Sequence, residues 1–296
     1  MQLLARFKET LKRFRDLPFR PIHRDLDVIR RRIHTIAVIE QERYVRELLA
    51  DPKYNDPRSL LRHGFKTYSQ NEEDGIIEEI FRRIGTTSRT FVEFGVDDGL
   101  ENNSLKLLLE GWRGLWLEGS PDNVDTIRQK FADVIADGRL VVNHAFIDRD
   151  NINGIIGRTF TGEIDLISID IDGNDIYVME ALEVVNPRVI IIEYNGKFRP
   201  PISIAQAYDP GFIWAKRDYT GASLAAIEKV AAEKGYSLVG CNIMGINAFL
   251  VRNDLVGDLF HAPFTAEHHH QPARNFLWPT FVAGHDPDWG RWVRID

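Results

Sequence analysis

The segment TFVEFGVDDG, residues 90–99, does most to limit what this chain can fold into. Thr90–Phe94 is short, apolar and rich in β-branched and aromatic residues, the composition of a strand buried on both faces. Gly95 and Gly99 bracket the turn that follows, where glycine lets backbone come close to a ligand. Nineteen residues past Gly99, a second apolar run, Gly114–Leu117, closes on Glu118. A carboxylate at the end of a second parallel strand can accept hydrogen bonds from both hydroxyls of a ribose. Together the two runs read as the first two strands of a nucleotide-binding α/β sheet. The turn is E-x-G-x-x-x-G, not the G-x-G-x-x-G of dinucleotide sites. An acidic residue two positions before the first glycine points to S-adenosylmethionine (SAM) more than to NAD.

The alternation continues downstream. Strands are expected near 90–95, 114–118, 139–146, 164–170 and 188–194, and helices near 101–111, 121–133, 174–184 and 222–234. Ser69 with Glu72 resembles a capping box opening a helix that runs to about Ile84. Strands and helices in turn imply a parallel sheet covered on both faces. Tyr236–Cys241 and Ile246–Arg252, joined by a short Asn242–Gly245 turn, then form an antiparallel hairpin. Five parallel strands finished by such a hairpin give an α/β, Rossmann-like, seven-stranded sheet of class I methyltransferase outline.

At 296 residues the chain supplies one full core plus extensions. We divide it into a helical N-terminal extension (1–60), a methyltransferase-type domain (61–255) and a C-terminal extension (256–296). Leu3, Leu4, Phe7, Leu11 and Phe14 recur at helical spacing among basic residues. Such a helix lies either on an anionic membrane or against protein, its own body or a second subunit. Pro18 and Pro21 are expected to break it, and residues 25–50 to form a second helix ending at Asp51-Pro52. In that helix Val28, Ile29, Ile33, Ile36, Ile39, Val45, Leu48 and Leu49 suit helix pairing, so a homo-oligomer through the N-terminal helices is expected. The last forty residues, with His268-His269-His270, Trp278, Trp289 and Trp292, read as an ordered but irregular extension.

Charge and cysteine usage narrow the setting. Residues 1–34 hold ten Lys/Arg against four acids in a chain of net charge −7, so the body is acidic and nucleic acid is not the expected partner. The single cysteine, Cys241, excludes an internal disulfide framework and fits a reducing compartment. No apolar run approaches the roughly 20 residues of a membrane span, and no secretory signal is evident. The expected setting is the cytoplasm, with peripheral contact at the inner membrane face through residues 1–17.

The chemistry concentrates at strand ends. Glu93 is a candidate for the methionine amino group of SAM or for fixing its own loop. LVVNHAFID (140–148) places His144 and Phe146 after the third strand, where Phe146 can pack on adenine and His144 is a candidate base. The densest acidic group is DLISIDIDGNDIYVMEAL (165–182), with Asp170 and Asp172 at the end of the fourth strand and Asp175 opening the next helix. VIIIEYN ends the fifth strand with Glu193 and Asn195. Carboxylates converging on one crevice resist ionising together. They are explained by a hard cation such as Mg²⁺ or Mn²⁺, or by a general base for a substrate hydroxyl. In the plainer reading Asp175 caps its helix and Asp172 holds a turn.

YSQNEEDGIIEEIF, FVEFGVDDGLENNS, GWRGLWLEGS, DLISIDIDGNDIYVMEAL, PRVIIIEYN and GASLAAIEKVAAEKGYSLVGC with NAFLVR, in this order, resemble the FkbM-like branch of class I SAM-dependent methyltransferases over residues 66–253. That resemblance implies SAM contacts at Gly95, Gly99 and Glu118, with Ser69, Gln70 and Asn103 near the methionine end. Many such proteins accompany polysaccharide or glycolipid biosynthesis. The acidic cluster also resembles the metal-dependent sugar methyltransferases of macrolide biosynthesis, which implies Asp170 or Asp172 and Glu193 as metal ligands. The chain departs from that pattern in carrying Glu193-Tyr194 where those enzymes have paired aspartates.

The expected function is O-methylation of a sugar hydroxyl on a glycan, glycolipid or nucleotide sugar, with Asp170, Asp172 or His144 as the base. Methylation of a non-sugar small molecule and a non-catalytic methyltransferase-like scaffold stand as alternatives. An NAD-dependent nucleotide-sugar dehydratase or reductase is disfavoured, because both G-x-G-x-x-G and Tyr-x-x-x-Lys are missing.

Overall fold

A computed structural model describes residues 20–277 and 290–296. The amphipathic segment expected over residues 1–17 lies outside these residues, as do Trp278 and Trp289. Seven strands form the main sheet: β1 (Thr90–Phe94), β2 (Arg113–Glu118), β3 (Leu140–His144), β4 (Gly162–Ile169), β5 (Val185–Glu193), β7 (Tyr236–Cys241) and β8 (Asn247–Arg252). Their order is β3-β2-β1-β4-β5-β8-β7. The first five run parallel, and β8 inserts antiparallel between β5 and β7. The expected seven-stranded sheet with its terminal hairpin is therefore present. Chain order reverses outward from β1, so the β1 and β4 ends define the crevice where ligands of open α/β sheets sit.

The sequence explains the sheet. β1 is buried along its whole length, and β5 is buried except at Asn186, which is exposed, and Glu193, which is half-buried. Alternate residues serve opposite faces. Val92, Phe94, Leu115 and Leu117 pack with α6 (Ile152–Ile156), α7 (Asp175–Ala181) and α8 (Leu224–Glu233). Phe91 and Trp116 pack with α2 (Glu73–Ile84), α3 (Leu105–Leu109) and α4 (Pro121–Lys130). Each large side chain so buried contributes about 1.5–3 kcal/mol. The remaining short helices are α5 (Ala132–Ala136), α9 (Asn253–Val256) and α10 (Ala266–His269).

Several expectations need correction. α1 spans Arg20–Leu49, beginning before the expected residue 25, and carries Pro21 in its first turn, where a missing N–H costs nothing; Pro18 and the segment before it lie outside the described residues. Val45, Leu48 and Leu49 pack on the chain's own body, with Tyr54, Leu61 and Ile243, while Val28, Ile29, Ile33, Ile36 and Ile39 are exposed. Ser69 and Glu72 form no capping box. Ser69 Oγ accepts from Asp74 N at 3.1 Å, while the Glu72 carboxylate accepts from the distant Ile243 N. The helix expected over 101–111 is reduced to α3, because Asn102 Oδ1 accepts from Ser104 N and Leu105 N and holds the backbone in a turn. The C-terminal extension contains a strand: β9 (Trp292–Arg294) pairs antiparallel with β6 (Ile204–Gln206).

Among the described residues no helix is long and apolar enough to cross a membrane.

Candidate functional site

The turn after β1 is held from behind by Glu93. Its carboxylate is buried and accepts from Asn103 N at 2.8 Å, from Ser104 N at 3.0 Å and from the Ser104 hydroxyl. Burial pushes its pKa up to about 7, against the pull of those donors. Glu93 therefore fixes the loop, the second of the two roles weighed for it. Asn103 is buried with its amide nitrogen on Ser168 Oγ at 3.0 Å, and Ser69 is fully buried in its turn with Asn71 and Asp74. Gln70 lies in the same turn, its carbonyl accepting from Lys66 Nζ. Ser69 and Gln70 thus share the turn that leads into α2, and Asn103 lies in the loop after β1.

Gly95 is required twice over. Its φ is +64°, and a Cβ there would lie 2.0 Å from the Asp170 carbonyl oxygen. The β1 turn thus presses directly on the end of β4. Gly99, at φ +83°, closes the turn against Trp116 and Phe131.

Glu118 ends β2. Its Oε2 accepts from Asp97 N at 3.0 Å and its Oε1 from Ser120 N at 2.8 Å, so the carboxylate is oriented by backbone. Each oxygen keeps further lone-pair capacity for a ligand hydroxyl. Phe146 follows β3, is 51% exposed, and faces Gly119 beside Glu118 as an open apolar surface. His144 stands opposite Glu118 in the β2–β3 register, with Nε2 3.0 Å from the Gly119 carbonyl oxygen. It is three strand spacings, about 14 Å, from β4. The structure does not bring His144 to the acidic cluster, because the strand order places β1 and β2 between them.

That cluster forms where β4 and β5 end. Asp170, Asp172 and Glu193 each place a carboxylate oxygen within 4.8 Å of the others. Burial raises the pKa of Asp170 well above the ordinary range, and the neighbouring Asp172, Asp175, Glu93 and Glu73 charges add to it. Glu193 is raised likewise by burial, then by Asp170, Asp172 and Asp175. Glu193 Oε2 is buried and has no hydrogen-bond partner among the described residues. Asp172 sits at φ +58°, an uncommon conformation that an aspartate tolerates better than most residues. Burial raises its pKa too, and Lys216 opposes the shift. Asp175 is different: it accepts from Ile171 N and Gly173 N at 2.8 Å each and closes the turn, its pKa pushed up to about 6 by burial. Asp175 therefore does not cap its own helix, whose N-cap is Asn174; it holds the turn that precedes it.

Such a donor set fits a divalent cation. It offers three hard oxygen ligands, with one buried carboxylate oxygen otherwise orphaned, at a spacing one ion can bridge. The same facts fit a proton shared among the three groups.

Sequence reading missed the wall beside this cluster. Thr220 Oγ1 donates to the Asp172 carbonyl at 2.6 Å, and Asn195 Nδ2 donates to the carbonyls of Asp218 and Thr220 at 3.1 Å. Phe198, Tyr219 and Trp292 meet edge to face, with Tyr219–Trp292 and Phe198–Trp292 centroids 4.8 Å apart. Trp292 is thus locked into packing by β9. The aromatic content of the tail was the available signal, but its pairing across the chain was not. A cavity of about 490 Å³ opens elsewhere, beside the end of β7, with Tyr54, Cys241, His261 and His268 in its wall. It contains none of the strand-end carboxylates.

No protein-family model matches the chain, and no curated protein matches it in sequence. Solved structures share its outline. The N-terminal domain of EvdMO1, crystallised with SAH and D-fucose, is 14% identical, with 70% of this chain and 95% of that one covered and a TM-score of 0.40. The O-methyltransferase from Bacillus cereus in complex with SAH is 16% identical over 72% of this chain and 88% of that one, at 0.38. An O-methyltransferase family protein from Burkholderia thailandensis is 15% identical over 73% and 71%, at 0.37. At these identities and scores the likenesses add nothing to the strand order described above.

Proposed function

We propose that the chain is a SAM-dependent O-methyltransferase acting on a sugar hydroxyl. The observation that carries this reading is the contact between Gly95 and Asp170, which sets a nucleoside-type turn directly against a cluster of carboxylates. Glu118 holds the ribose, the Gly95 and Gly99 turn cradles the amino-acid portion, and Phe146 covers adenine. Bound SAM supplies an electrophilic methyl group. Asp170 and Asp172 lie where the acceptor hydroxyl must lose its proton as its oxygen takes the methyl and the sulfonium becomes a thioether. Asp172, the only one of the three whose raised pKa a cation partly offsets, is the proposed base.

Asp170, Asp172 and Glu193 are the residues that would hold Mg²⁺ or Mn²⁺, which acts as a Lewis acid on a coordinated hydroxyl. The chain's own part is alignment: in-line transfer is set by fixed strand ends. A sugar is favoured over a less oxygenated acceptor because adjacent hydroxyls match a crowded carboxylate rim.

Calorimetry and a transfer assay test this reading. Glu118→Ala is expected to weaken SAM binding by about 1.5–3 kcal/mol through lost charged hydrogen bonds. Unchanged affinity in the folded variant would remove Glu118 from the site. With SAM and a panel of sugars, nucleotide sugars and glycans, EDTA is expected to abolish transfer while leaving SAM affinity intact. Full activity in EDTA ends the metal role and leaves Asp172 as base. SAM binding without turnover on any acceptor would favour the scaffold alternative.

A further inference from the structure

α1 carries an apolar stripe that nothing in the described body covers. Leu26, Ile29, Ile33 and Ile36 are each more than half exposed, at 55, 52, 61 and 60%. They follow one another at spacings of three, four and three, the alternation of a two-stranded coiled-coil seam. Continued at the same spacing, the stripe meets Glu40, Arg43 and Glu47, which pair with one another along the helix; Arg43 Nε lies 2.9 Å from Glu47 Oε1. There the helix turns a different face, Tyr44, Val45 and Leu48, onto its own body. At 3.6 residues per turn this face lies roughly a quarter-turn from the stripe, so docking on the body leaves the stripe clear.

We propose that a second copy of this chain covers the stripe, seam to seam, in a parallel two-stranded coiled coil over about residues 25–39. Charge selects both occupant and direction. In the parallel register Asp25 of one helix flanks the seam beside Arg30 of the other, and symmetry repeats the pair. In the antiparallel register Arg30 meets Arg30 and Arg32 meets Arg32 across the seam, which repels. The parallel arrangement also puts both bodies at the end where the seam has become polar. The apolar contact therefore stops before the bodies would have to share it. This proposal is independent of the methyl-transfer reading.

Sedimentation velocity on the full chain at micromolar concentration tests it. The wild type is expected to be a dimer. The double variant Ile29→Lys, Ile33→Lys is expected to be a monomer with an unchanged melting transition, since neither side chain touches the core. Ile29→Cys is expected to form an intermolecular disulfide under mild oxidation; the native Cys241 is buried and gives no background. A monomeric wild type, or a dimer that survives the double variant, would overturn the proposal. A dimer in which Ile29→Cys fails to cross-link would overturn the parallel register. A monomer that floats with phosphatidylcholine–phosphatidylglycerol vesicles, and loses this in the double variant, would assign the stripe to lipid instead.

Discussion

Glu93 is a buried carboxylate and Glu193 a half-buried one with an inward-facing oxygen, in two strands of one sheet, and their surroundings treat them in opposite ways. Glu93 ends in a loop that supplies its donors: two backbone N–H groups and a hydroxyl, with Trp116 Nε1 in turn holding that hydroxyl at 2.8 Å. Glu193 faces two aspartates and keeps an oxygen with no donor among the described residues. Both acids have raised pKa values, chiefly from burial. Burial alone therefore does not separate a structural acid from a reactive one. The separating fact is whether the chain itself supplies the donors for its oxygens.

The largest test of this contrast is Glu93→Ala. It strands the Asn103 and Ser104 N–H groups in the core and is expected to cost about 3–4 kcal/mol of stability, read by urea unfolding. If stability barely moves while SAM affinity collapses, Glu93 is a ligand group and the contrast fails.

Glu193→Gln should do the reverse. In the folded chain Asp170 and Glu193 titrate above the ordinary carboxylate range, whereas in the unfolded chain Glu titrates at about 4.3. The unfolded state thus releases its protons first. Stability present below about pH 4 is lost as pH rises through the folded values. The wild type is expected to melt progressively lower from about pH 4 into the neutral range. Glu93, raised to about 7, contributes to the same slope. Glu193→Gln should flatten it, gain about 1–2 kcal/mol at pH 8 and abolish transfer. Parallel melting curves for the two proteins would mean that the trio carries no stored repulsion.

The smallest effect belongs to the rim. Lys216 is exposed and opposes the upward shift of Asp172. Lys216→Ala should change stability by no more than a few tenths of a kcal/mol, an effect that salt suppresses. It should also move the rising limb of the transfer rate to higher pH. An unmoved limb would separate Asp172 from the proton transfer.

The sheet was legible because buried parallel strands are continuous apolar runs closed by glycine or acid, as in Gly114–Glu118 and Ile190–Glu193. The carboxylates were legible for the same reason, since each ends such a run. What stayed hidden depends on partners remote in sequence. β6 and β9 are three residues each and pair across almost ninety positions, so neither has a pattern of its own. Thr220 and Lys216 reach Asp172 from a loop with no periodicity. Glu72, at the expected position for a capping box, is drawn away by Ile243, 171 residues further on. Local spacing cannot show such a competition.

One clamp has a consequence in time. Tyr44, near the body end of α1, accepts from Arg274 Nε at 3.3 Å and packs edge to face on Phe276, and Gln41 donates to the Phe276 carbonyl. These partners leave the ribosome 230 or more positions after the helix residues they hold. At about 5–20 residues per second, α1 waits roughly 10–50 s for its seat. During that interval its isoleucine stripe is already synthesised while its own body has nothing to offer it. Neighbouring nascent chains on one messenger would display the same stripe together, so pairing of two copies is open to them before either sheet is finished.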